Sequence, residues 1–84
     1  MSHFEFQHLA EEAELQAHIG NLTAAQQLFG LAGMHCFEFA QGLPPANIEA
    51  KAVYGRHAQY LFACAADPQQ QQAVEEWMQS GCDA

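Results

Sequence analysis

Five histidines, three cysteines and ten carboxylates are the side chains of this 84-residue sequence most able to do chemistry. Glu11, Glu14 and His18 fall at i, i+3 and i+7, which would set three metal-type donors on one helical face. His35 and Glu38 stand at i, i+3, and Glu49 and His57 lie two turns apart. Helix bundles do build dinuclear centres from inward-pointing donors, but the usual set takes one Glu-x-x-His pair from each of two helices. Two such pairs are not present. The expectation is surface carboxylates with scattered histidines, no metal site and no other cofactor.

Thiol chemistry is the second candidate. A reactive cysteine needs its thiolate stabilised by a nearby cation or a helix N-terminus. Cys36 is flanked by His35 and Phe37 in an acidic chain and reads as a small buried hydrophobe. Cys64 falls near the end of a helical stretch, where the dipole opposes a thiolate. Serine hydrolase chemistry has no foothold, because Ser2 and Ser80 are both terminal. GLAG, the nearest glycine cluster, has no lysine after it and makes no phosphate loop. The segment CFEFAQGLPPANIEA resembles in outline the cysteine helix of carboxymuconolactone-decarboxylase-like peroxidases. The paired cysteines of those proteins are missing, so no peroxidase role follows. Catalytic residues are therefore not assigned, and the chain is expected not to be an enzyme. The competing expectation is a small metal- or thiol-dependent enzyme or sensor built on these histidines and cysteines.

Charge is the more unusual property. Ten acidic residues against two basic ones give a formal net charge of −8. Direct nucleic-acid binding needs clustered Lys and Arg to displace counterions, so it is excluded, as is attraction to an anionic membrane surface. A basic surface of another protein, including one that binds nucleic acid, is the natural partner. Small size, acidity and the lack of catalytic residues are shared with phage anti-defence, immunity and antitoxin proteins, which act as inhibitors or regulators. Partner-binding residues are expected among Glu11, Glu12, Glu14, Glu75 and Glu76, with Tyr60 and Trp77 as aromatic anchors. Phe4 is a third aromatic expected at the surface, because nine aromatic residues are many for so small a core. Leftover apolar surface would also permit a homodimer. Three cysteines with no CxxC, no basic leader and no apolar run near 18 residues point to the cytoplasm.

These residues need elements to hold them. The pattern predicts one all-α domain over 1–84, an irregular four-helix arrangement. Residues 7–19 are strong helix formers, with Phe6, Ala10, Ala13 and Ala17 on one stripe, Leu15, Ile19 and Leu22 on another, and a stop at Gly20-Asn21. Thr23 with Gln26 reads as a capping box for a helix over 24–41, apolar on two sides. Gly30 and Gly33 in that helix are tolerable where another helix packs closely. Gly42 and Pro44-Pro45 mark the next boundary. Residues 43–66 make the central helix and hold both cations, Lys51 and Arg56. Ile48, Ala52, Val53, His57, Leu61 and Cys64 line one face of it, and Tyr54, Ala58, Phe62 and Ala65 another. Asp67-Pro68 caps a last helix over 69–79. The alternative is α+β, with short strands near 34–40 and 57–64.

Overall fold

The computed structural model describes residues 5–82. They form four helices, α1 (Glu5–His18), α2 (Leu22–Gly42), α3 (Ile48–Cys64) and α4 (Pro68–Gln79), and no strand among the described residues. The segments 34–40 and 57–64 lie inside α2 and α3, so the α+β alternative is set aside. No helix among the described residues is long and apolar enough to cross a membrane.

The boundaries follow local chemistry with two corrections. Gly20 adopts φ +89°, a left-handed conformation that glycine takes at low cost, and α1 stops there. Asp67 accepts a hydrogen bond from Gln70 N at 3.3 Å with Pro68 opening α4, as the sequence predicts. The Thr23–Gln26 capping box does not form. The α2 helix begins earlier, at Leu22, after Asn21, whose side chain donates instead to Gln16 Oε1 at 3.0 Å. Pro44-Pro45 do not open α3 either. They sit in a turn closed by Asn47 N donating to Pro44 O at 2.9 Å, and the helix starts at Ile48.

Consecutive helices pack on one another: α1 on α2, α2 on α3, α3 on α4. The two long apolar helices thus take the middle positions. The body measures 41 × 26 × 16 Å between Cα extremes. A least dimension of 16 Å fits two helices abreast, given axis spacings of about 8–10 Å and a Cα radius of about 2.3 Å. The core draws on every helix, with Phe6 and Ala13, Phe29 and Cys36, Leu61 and Phe62, and Val74.

Glycines let the backbones approach. A Cβ on Gly33 would lie 2.8 Å from two ring carbons of Phe62, and one on Gly55 would lie 2.8 Å from Met78 Sδ and 3.1 Å from Trp77 Cζ3. Gly33 marks the α2–α3 crossing and Gly55 the α3–α4 crossing. Both read locally as helix weakeners, and both stand where another helix takes the room of a side chain.

A slab two helices thick leaves surface uncovered. Leu15, Ile19 and Leu22, the second stripe of α1 and its exit, are exposed. Ile48 and Val53 are also exposed, so the sequence-derived first face of α3 is corrected: Tyr54, Ala58, Leu61 and Phe62 point inward. The reason is angular, since α2 and α4 flank α3 and leave its remaining side open.

Candidate functional site

Aromatic rings close the core more completely than their number suggested. Phe6 reaches from α1 to lie edge-on to Tyr54 at 6.1 Å and to His57 at 5.7 Å between centroids. Phe39 meets Tyr54 edge-on at 4.8 Å. Phe37 meets Trp77 edge-on at 5.3 Å. Such pairs add roughly 0.5–1.5 kcal/mol each beyond area burial. Trp77 is therefore not a surface anchor. It is 6% exposed, packed with Ala40 and Cys82, and Lys51 Nζ lies 5.6 Å from its ring centroid. Its Nε1–H is buried and has no acceptor among the described residues. Tyr60, by contrast, is 56% exposed, as expected. Phe4 lies outside the described residues.

The charges divide as unevenly. Lys51 is 7% exposed, its Nζ donating to Gln41 O at 3.4 Å. Arg56 is exposed, and so is every glutamate. Arg56 is thus the single exposed Lys or Arg on a surface crowded with carboxylates. Burial of Lys51 could not be read from its type, since lysine is among the residues least often buried.

Between α1 and α3 runs a trough of about 650 Å³ lined by Phe6, Gln7, Ala50, Val53, Tyr54, Arg56, His57 and Tyr60. Phe6 and Tyr54 make its floor. Val53, His57 and Tyr60 form the α3 wall, with the His57 and Tyr60 rings stacked at 6.4 Å. On α1 the trough is lined by Phe6 and Gln7, and Glu14, at i+7 from Gln7, stands two turns further along that side of the helix. Tyr60 records this. A hydrogen bond with Cys64, one turn on, raises its hydroxyl pKa above the ordinary tyrosine value, and the Glu14 charge adds to the rise.

The expected site residues fall into separate places. Tyr60 lines the trough, Glu14 is near enough for its charge to bear on the Tyr60 hydroxyl, and Glu11 is exposed on α1 outside the trough lining. Glu12 points away and accepts from Gln16 Nε2 at 3.3 Å. Glu75 accepts from Gln59 Nε2 at 2.9 Å and Gln79 Nε2 at 3.4 Å, and Glu76 is exposed beside it on α4. Of the trough residues only Tyr60 was expected from sequence as a site residue; Phe6, Gln7, Ala50, Val53, Tyr54, Arg56 and His57 became a lining only when α1 was laid beside α3.

The metal-type donors do not converge. Among the described residues no three His, Cys, Asp or Glu side chains are placed to hold an ion. Glu5 and His8, at i, i+3 on α1, form a single Glu-x-x-His pair. Both are exposed, and Glu5 lies 3.9 Å from His35 Nδ1 on α2. Cys36 is buried with its thiol donating to Tyr54 O at 3.3 Å, and burial pushes its pKa from 9.0 up to about 12. The folded protein then holds a proton that the unfolded chain releases above about pH 9. Folding stability is accordingly lost as pH rises from about 9 towards 12. At pH 8 a water-soluble maleimide should label half-buried Cys64 first and Cys36 only after denaturation. Equal native rates would show Cys36 to be reactive after all.

Comparison with protein-family models, with curated proteins and with solved structures gives no match for this chain.

Proposed function

We propose that this chain is a non-enzymatic acidic interaction module, an inhibitor or regulator that occupies a basic surface of another protein, in the manner of phage anti-defence, immunity or antitoxin proteins. The observation that carries this reading is the one-sided surface: every glutamate exposed, Lys51 buried, Arg56 alone outside. Such a field speeds encounter with a cationic face and repels nucleic acid and anionic lipid. The three cysteines are free, a state that a reducing compartment such as the cytoplasm keeps. A thiol pushed up to about 12 gives little support to the competing enzyme or sensor reading.

The test is capture from a lysate of the source organism at two salt concentrations. A stoichiometric basic protein should be retained at about 0.1 M salt and released near 1 M, as the screening length falls from about 10 Å to about 3 Å. Capture of no protein, or retention indifferent to salt, would overturn the proposal.

A further inference from the structure

Arg56 is the chain's one exposed Lys or Arg, and it stands at the trough between α1 and α3. None of the residues that line this trough is a carboxylate, and Phe6, Tyr54, His57 and Tyr60 bring rings to it. Arg56 has no ion pair or hydrogen bond to another described residue. Its guanidinium therefore offers a fork of N–H donors, shaped for the two oxygens of a carboxylate. The volume of about 650 Å³ lies within the range of about 300–1,000 Å³ usual for small-molecule sites, which pair apolar walls with a few polar groups. On α1 only Phe6 and Gln7 line the trough, whereas α3 lines it from Ala50 to Tyr60. The α3 side runs about 15 Å at 1.5 Å per residue, and the short α1 side suits a compact ring system and leaves a guest helix unsupported.

We infer that the α1–α3 trough binds a small aromatic carboxylate, its ring system on the Phe6–Tyr54 floor and its carboxylate on the Arg56 guanidinium. The floor exists before a ligand arrives: Phe6 is buried, and its ring is held edge-on to Tyr54 at 6.1 Å and to His57 at 5.7 Å. Val53 and the stacked rings of His57 and Tyr60 supply the wall for the ligand's ring. Glu14 bears on the Tyr60 hydroxyl from outside the lining, so the carboxylate belongs at Arg56 and not on that hydroxyl. The net charge of −8 opposes an anion at long range, where salt screens it over about 10 Å, whereas Arg56 acts in contact. A second copy of this chain is a poor occupant, since two copies bring −8 against −8. The groove of about 440 Å³ beside Leu31, Met34 and Phe62 has Asp67 as its only charge and no donor fork for an anion. The site does not depend on the acidic-module reading, because it takes a small molecule at the single exposed Lys or Arg.

The test is an NMR titration of the full chain with 2-naphthylacetate, beside the alcohol and the ammonium compound of the same ring and length. Amide shifts should centre on Gln7, Val53, Tyr54, Arg56 and His57, with a Kd of about 1 mM or tighter for an acid of this size. The acid should bind at least about threefold more tightly than the alcohol, and Arg56→Gln should remove that difference while leaving the alcohol's affinity unchanged. Val53→Glu puts a carboxylate into the lining at a half-exposed position, and should weaken the acid more than the alcohol and favour the ammonium compound. Ammonium binding as tight as the acid's in the unaltered chain would show that the overall negative field rules the trough, and would overturn the assignment. Shifts centred on Leu31 and Met34, equal losses of acid and alcohol in Arg56→Gln, or no saturation by about 10 mM acid would each overturn it as well. Such a failure leaves the acidic-module proposal standing, and a lysate that yields no basic partner leaves this site standing.

Discussion

Phe62→Ala is expected to remove a large share of the folding stability, whereas Tyr60→Ala, two residues away on the same helix, leaves the fold nearly untouched. Phe62 is 1% exposed and seals the α2–α3 crossing over Gly33. Truncating a buried phenylalanine costs about 3–5 kcal/mol, the transfer term plus the cavity left behind. A domain of this length has only about 4–13 kcal/mol in total, at roughly 0.05–0.15 per residue. The loss corresponds to a fall in Tm of at least about 12 °C for a domain of this size. Tyr60, more than half exposed, should cost less than about 1 kcal/mol, as surface positions do. Thermal melts followed by circular dichroism separate the two. Similar losses in both variants would mean that α3 is rotated about its axis relative to this structure, and the trough would go with it.

The second large effect is a difference of sign between two glycines one turn apart. Intrinsic helix propensity favours alanine over glycine by about 1 kcal/mol at either site. At Gly30 the nearest atom to an added Cβ is Ala65 Cβ at 3.8 Å, an ordinary contact. Gly30→Ala should therefore stabilise, by about 0.5–1 kcal/mol. At Gly33 the new methyl would sit 2.8 Å from the Phe62 ring, which is itself held in the core and cannot swing away. Overpacking of this kind costs about 1–3 kcal/mol, so Gly33→Ala should destabilise in spite of its better propensity. Urea melts with an unchanged slope would read this out as a shift in midpoint. A stabilising Gly33→Ala would show that the two helices cross elsewhere.

The same pair of glycines shows where the sequence stops being informative. On the chain, Gly30, Gly33 and Gly55 look alike, and Gly33 and Gly55 each allowed a helix to be ended early and a strand to be started. Their roles differ because only Gly33 and Gly55 lie under rings or sulfur from another helix. Trp77 is the same lesson for the site. Its type favours an interface, and its position on α4 gives no hint of Phe37 and Lys51 closing over it. Glu12 and Glu14 are two residues apart and equally acidic, yet helical phase turns one towards Gln16 and the other towards Tyr60.

Local chemistry was enough for the elements. Gly20 and Asp67-Pro68 punctuate the chain because each carries its stopping or starting geometry in its own backbone or side chain, and helix formers between the boundaries leave one class of fold. Net charge was likewise fixed by composition. Which charges remain outside, which aromatics are left for a partner, and the trough itself depend on the order in which helices stack. That order is set by long-range fit at a few crossings, where one methyl group changes the answer, and no spacing along the chain encodes it.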